Sequence, residues 1–211
     1  MSTPSGAAAP KDHRAWLEAM LRDVSPSVDG ERARDRLVEA YFGLECAPAP
    51  GTELPPGPDL IGHHPSAVDA VLRFLREAPV SASDTFVDLG AGDGRTLLLA
   101  RIATGARALG IELQAPLVAR GRAAARRLGV EVELVHGDAR SGPIEDGTAF
   151  FMFTPFVGAA LRDVLARLEV IARRRPIVVG ALGFELGREA PWLSPRPSTD
   201  FWLEIHDGAP R

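Results

Sequence analysis

Val87-Asp88-Leu89-Gly90-Ala91-Gly92-Asp93-Gly94-Arg95 places three glycines on alternate positions after an apolar run that holds one acidic residue. Thr85-Phe86-Val87 with Leu89 reads as a buried strand, and Thr96-Leu97-Leu98-Leu99-Ala100-Arg101-Ile102 as the helix that follows it. Between them the chain must turn sharply. Glycine tolerates positive φ and carries no Cβ, so a ligand can approach this backbone closely while the amides at the helix start point outward. A helix-entry turn without a ligand is the plain alternative.

Spacing separates the cofactor classes. A dinucleotide fingerprint is G-x-G-x-x-G, whereas this loop is D-x-G-x-G-x-G. A second strand, Ala106 to Ile111, ends in Glu112, about twenty positions past the loop, where a carboxylate can accept hydrogen bonds from ribose hydroxyls. Glu112 therefore speaks for a nucleoside, and the glycine spacing chooses which one. A helix from Pro116 to Leu128 leads into the alternating strand Val130 to Val135 and then His136-Gly137-Asp138-Ala139. A fourth strand, Thr148 to Phe153, runs into Thr154-Pro155-Phe156.

Over residues 82 to 181 these landmarks, in this order, resemble the class I S-adenosylmethionine-dependent methyltransferases. The resemblance implies an α/β, Rossmann-like sandwich: a mostly parallel seven-stranded sheet with an antiparallel last strand, here with an N-terminal helical extension. It implies S-adenosyl-L-methionine as cofactor, held by Asp88, Gly90, Ala91, Gly92, Gly94, Glu112, Leu113, Asp138, Ala139 and Phe153, with Asp138 matching the position that contacts the adenine amino group. Thr154 falls in the fourth motif, beside the transferred methyl. Amino-group methyltransferases often carry Asn or Asp, then Pro-Pro and an aromatic residue there. This chain keeps Pro155 and Phe156 but has Phe153 where the amide or acid belongs, which speaks against base modification and leaves an apolar or lysine-shaped channel. The loop and the His-Pro-Ser entry are also similar to relatives of protein-lysine methyltransferases with this core.

Residues 1 to 10 read as a disordered tail, and 11 to 64 as a helical extension with a Pro-rich connector from Ala47 to Asp59. The methyltransferase domain then occupies 65 to 211. Helices are expected near His13 to Asp23 and Gly30 to Gly43, and Pro65 is placed to start another running to about Glu77. After the fifth strand, Pro176 to Leu182, only about thirty residues remain. They suffice for a closing antiparallel pair, the last strand being Thr199 to His206 with Phe201, Leu203 and Ile205 on one side. The acceptor site is then expected to be roofed mainly by residues 11 to 66.

Sulfonium methyl transfer is an in-line displacement, so orientation of the acceptor can supply most of the acceleration. A base near the methyl could take the acceptor's proton, and His63 and His64, just before the helix expected over the pocket, are the best placed. Both also suit a loop that caps Pro65-Ser66 or faces solvent. His136 is placed to flank an adenine or to serve structurally, and Glu185 to reach the acceptor or lie exposed in a turn.

The chain has 211 residues, 45% hydrophobic and 25% charged, which fits one α/β domain with an extension. No apolar stretch approaches a membrane span and the N-terminus lacks signal-peptide features, so a cytoplasmic protein is expected. Cys46 is the only cysteine, so it forms no internal disulfide and fits an apolar filler; no metal is called for. A net charge of −4 makes nucleic acid a poor partner. Arg120, Arg122, Arg126 and Arg127 read as one solvated helix face, and Arg173-Arg174-Arg175 as a helix C-terminus. The expected acceptor is a small molecule or a protein side chain such as lysine, methylated on N or O. Two other classes stay open: a non-catalytic S-adenosylmethionine-binding regulatory or assembly subunit, and an NAD(P)-dependent oxidoreductase. The latter lacks both the third-glycine spacing and a Tyr-x-x-x-Lys pair, since Tyr41 and Lys11 are the only residues of their kinds.

Overall fold

A computed structural model describes residues 12–25, 27–44, 59–62, 64–199 and 201–210. Its seven strands are β1 (Thr85–Leu89), β2 (Arg107–Glu112), β3 (Glu133–His136), β4 (Ala149–Phe153), β5 (Ile177–Leu182), β6 (Ser194–Arg196) and β7 (Leu203–Gly208). They form one sheet in the order β3-β2-β1-β4-β5-β7-β6. Every pairing is parallel except those of β7, which runs antiparallel to both β5 and β6. The central strands are apolar on both faces because both are covered. Phe86 of β1 packs into the layer of α3 (Val68–Glu77), α4 (Arg95–Thr104) and α5 (Ala115–Leu128). Val87 and Leu89 face α6 (Gly158–Ala172) and the short α7 (Leu186–Glu189). Strand order reverses at β1, between β2 and β4, so a crevice opens at the carboxyl ends of the strands, where open α/β sheets bind ligands.

The extension is α1 (His13–Asp23) and α2 (Val28–Phe42), whose Leu17, Met20, Val38 and Phe42 join the core on the α4 side of the sheet. Trp16 stacks on Tyr41 at 3.6 Å between ring centroids. His13 reaches the Tyr41 hydroxyl at 2.7 Å and donates through Nε2 to the Leu128 carbonyl at 2.9 Å, tying α1 to the end of α5. Arg34, 4% exposed, forms a two-pronged ion pair with Asp69 of α3 and donates to the carbonyls of Val24 and Ser25.

Several boundaries differ from the sequence reading for identifiable reasons. α2 begins two residues before Gly30 because the Ser27 hydroxyl accepts from the Gly30 amide and caps it. α3 starts at Val68 rather than Pro65, with Ala67 extended at its N-cap. β3 spans only 133–136, so Val130 and Val132 precede the strand. β7 begins at Leu203, not Thr199: the Thr199 hydroxyl and amide bond to Glu77 and divert the chain to α3. Leu203 and Ile205 are buried as expected, but Phe201 is 90% exposed and lies outside the strand. The arginine face of α5 is not merely solvated. Arg120 pairs with Asp93, Arg122 donates to the Leu134 carbonyl and Arg127 to that of Tyr41. The tail of residues 1 to 10, most of the Pro-rich connector, Cys46 and His63 lie outside the described residues.

Gly121 of α5 lets that helix close on the glycine loop. A Cβ there would sit 2.3 Å from the Asp93 carbonyl oxygen and 2.6 Å from Leu134 Cδ2. Alanine gains about 1 kcal/mol of helix propensity over glycine, yet displacing packed backbone costs about 1–3 kcal/mol. Gly121→Ala is therefore expected to lower the thermal midpoint; a raised midpoint would show that α5 can move away freely.

Candidate active site

The turn between β1 and α4 is built as its glycines require. Gly90, Gly92 and Gly94 have φ of 90°, 55° and 74°, the left-handed region that side chains disfavour. The amides of Gly90 and Ala91 donate to the Ile111 carbonyl at 2.9 and 3.0 Å, fastening the loop to the end of β2. A Cβ on Gly90 would lie 2.3 Å from Cβ of Pro155, so the loop and the segment after β4 approach at a distance only glycine permits. Beside this contact lies a cleft that opens to solvent at its mouth. Asp88, Glu112, Asp138 and the loop residues Gly90, Ala91 and Asp93 line it together with His64, Phe153, Pro155 and Phe156, whereas Gly92 and Gly94 do not.

The three carboxylates are in different states. Asp88 is buried at the foot of the cleft, where loss of solvent pushes its pKa up to about 7. A hydrogen bond from Thr96 opposes the shift and the nearby Glu112 charge adds to it. Glu112, also buried, is raised by desolvation against several amide donors: Oε2 accepts from the Gly92 amide at 2.9 Å and Oε1 from the Gln114 amide at 2.7 Å. Asp138 lines the cleft, but its carboxylate is held by the Arg140 side chain, which keeps it below the usual carboxylate range.

The Asp88 shift has a stability consequence. Its folded pKa exceeds the unfolded value of about 3.9, so the native state binds the proton more tightly. The contribution is fully present below pH 4 and is lost as pH rises towards 7. Asp88→Asn keeps an acceptor for Thr96 and removes the titration. The variant is expected to melt above the wild type at pH 8 by at least about 3 °C, since 1 kcal/mol is worth about 2–4 °C at this size. The gap should close by pH 4, and a pH-independent difference would contradict the assignment.

On the opposite side, residues 59–61 run antiparallel to the segment after β4. The Ile61 amide donates to the Pro155 carbonyl and Val157 to that of Asp59, while Asp59 Oδ2 accepts from the Ala159 amide at the start of α6. Thr154 has φ of 39° and its hydroxyl donates to the Leu182 carbonyl at 3.0 Å, so the side chain is turned towards β5. His64 lines the cleft and is exposed. Ala91, Leu113, Ala139 and Phe153 also line it, with Gly90. His136 donates through Nε2 to the Leu113 carbonyl, and Glu185 is exposed beside Arg188. The expected roof divides: residues 60–62 and 64–66 line the cleft, whereas the described residues of α1 and α2 do not. α2 reaches it only through Asp35 and Glu39, which pair with buried Arg95 on its wall.

Sequence reading missed Arg95 and Gln114, both buried and both lining the cleft. Arg95 was visible as the last residue of the glycine motif, but its acidic partners lie on another helix. Gln114 follows Glu112 by two positions, a spacing that carried no signal alone. No group of three or more His, Cys, Asp or Glu side chains among the described residues is arranged to hold a metal.

An adenosyl amino acid suits this set. The loop gives close backbone approach, Glu112 and Gln114 sit where the second strand ends, and the Gln114 Oε1 atom is buried with no hydrogen-bond partner. Comparison with known proteins agrees with this geometry. Residues 86–173 match a family described as a methyltransferase domain. An RNA methyltransferase from Salinibacter ruber, solved with S-adenosyl-L-homocysteine, is 27% identical, with a TM-score of 0.56 over 68% of this chain and 92% of that one. A SAM-dependent methyltransferase from Aquifex aeolicus shares the fold at 13% identity and a TM-score of 0.55, covering 66% of this chain and 89% of that one. Geranyl diphosphate C-methyltransferase from Streptomyces coelicolor A3(2) does so at 17% and 0.50, covering 67% and 75%. No curated protein sequence matches the chain.

Proposed function

The chain carries a class I S-adenosylmethionine-dependent methyltransferase domain, and on that premise we propose that it methylates a nitrogen or oxygen of a small molecule or of a protein side chain such as lysine. The observation that carries this reading is the cleft itself, with the left-handed glycine loop facing Pro155 and Phe156 across it. S-adenosylmethionine supplies a methyl group on a sulfonium, already activated for displacement. The glycine loop with Asp88 would hold the amino-acid end, Glu112 the ribose, and Leu113, Asp138 and Ala139 the adenine. Leu60, Ile61, Pro65, Phe153 and Phe156 make the far wall largely apolar, so it excludes water and orients an acceptor by shape. His64, on the same wall, is the described side chain placed to take a proton.

The printed name of the Salinibacter ruber relative raises RNA as an acceptor. The net charge of −4 and Phe153 in place of an amide or acid favour the other acceptors. Calorimetry with S-adenosylmethionine, S-adenosylhomocysteine and NAD tests the site: tight binding of the first two and none of NAD is expected, and the reverse would overturn the reading. Transfer of labelled methyl into fractionated lysate then tests turnover. Label in small molecules or protein supports the acceptor classes, label in RNA overturns them, and binding without transfer favours a regulatory subunit.

A further inference from the structure

Glu112 is placed to accept ribose hydroxyls, yet its carboxylate is already well supplied with donors. The Gly92 amide donates to one of its oxygens at 2.9 Å and the Gln114 backbone amide to the other at 2.7 Å. A carboxylate offers about four lone-pair sites, and these amides take one on each oxygen. A diol brings two hydroxyl donors, and a second acceptor beside Glu112 would let each find its own partner.

Gln114 provides that acceptor. Its side chain lies beside Glu112, towards which only the amide nitrogen can donate because a carboxylate only accepts. The oxygen, Oε1, is buried without a partner, in a residue 6% exposed that lines the cleft. Gln114 occupies the N-cap of α5 yet makes no side-chain cap, so helix capping does not account for it. A buried unsatisfied acceptor is costly, and a donor carried by a ligand removes that cost. The terminal torsion of a glutamine is broad and roughly two-fold, so a modest rotation turns Oε1 to the cleft without moving the backbone.

We propose that Gln114 is a specificity-determining residue for the nucleoside: its amide oxygen accepts a hydroxyl of the ribose diol, beside the carboxylate of Glu112. This rests on the cleft being a nucleoside site, as argued above. The pair then selects a ribonucleoside over its deoxy counterparts, because a deoxy sugar leaves Oε1 buried and unpaired.

The test is calorimetry of the full chain with S-adenosylhomocysteine and its 2′-deoxy and 3′-deoxy analogues, on wild type, Gln114→Met and Gln114→Ala. Methionine keeps the unbranched shape and removes the oxygen. Wild type is expected to bind S-adenosylhomocysteine about tenfold more tightly than one deoxy analogue. Gln114→Met should lose about tenfold towards S-adenosylhomocysteine and stay within twofold towards that analogue. Equal losses for all ligands in both variants would overturn the proposal in favour of a packing role. So would a wild type that binds all three ligands equally, a comparison that needs no variant to fold. A wild type that binds none of them but does bind NAD would instead remove the nucleoside reading on which the proposal stands.

Discussion

Glu112→Ala is expected to weaken binding of S-adenosylhomocysteine at least tenfold while the chain remains folded. The carboxylate anchors the Gly92 amide from one side and the Gln114 amide from the other, so it joins the glycine loop to the start of α5. Hydrogen bonds to a charged acceptor are worth about 1.5–3 kcal/mol, and 1.4 kcal/mol is a factor of ten in affinity. Alanine removes the acceptor and leaves those amides without their partner in the cleft wall. Glu112→Gln keeps one acceptor oxygen and should fall between the two. Calorimetry on the three proteins checks the order, and an unchanged affinity in Glu112→Ala would separate this residue from the cofactor altogether.

Asp69→Ala should produce the largest loss of stability. Arg34 is nearly buried, and its guanidinium is satisfied by Asp69 and by two carbonyls at the turn between α1 and α2. Removing the carboxylate strands a desolvated cation, which costs about 3–5 kcal/mol. At about 2–4 °C per kcal/mol the midpoint should fall by roughly 10 °C. Replacing both partners together, Arg34→Met with Asp69→Leu, should recover most of it, because a buried ion pair and well-packed apolar side chains of similar volume are close in energy. A double variant no better than the single would mean that the pair holds the extension in a way packing cannot replace.

The elements of the core were legible because their signals are local. Alternate glycines after a strand demand positive φ, and Gly90, Gly92 and Gly94 have it. Short apolar runs such as Phe150 to Met152 read as strands covered on both faces, and these residues are fully buried in β4. Boundaries and side-chain partners were not legible where another residue's side chain or carbonyl intervened. Thr199 has the composition of a strand entrance, but Glu77 of α3 takes its hydroxyl, and β7 starts later. Thr154 stands in the fourth motif, but the Leu182 carbonyl takes its side chain. Asp138 follows β3 as the sequence implied, and its charge is met by Arg140, two residues on.

By itself the sequence determined the order of strands and helices, the glycine turn, and the carboxylates at the ends of the first three strands. Each depends on backbone preference and hydrophobic period within a dozen residues. Tertiary structure alone decided which groups face the cleft and which are spent elsewhere: Arg95 bound to Asp35 and Glu39, residues 59–61 paired with the segment after β4, and Gln114 with its backbone amide on Glu112 and its side-chain oxygen without a partner. Those pairings join elements that only the strand order brings together. A hydrogen-bond acceptor has no fixed role until its neighbours in space have taken or left its lone pairs.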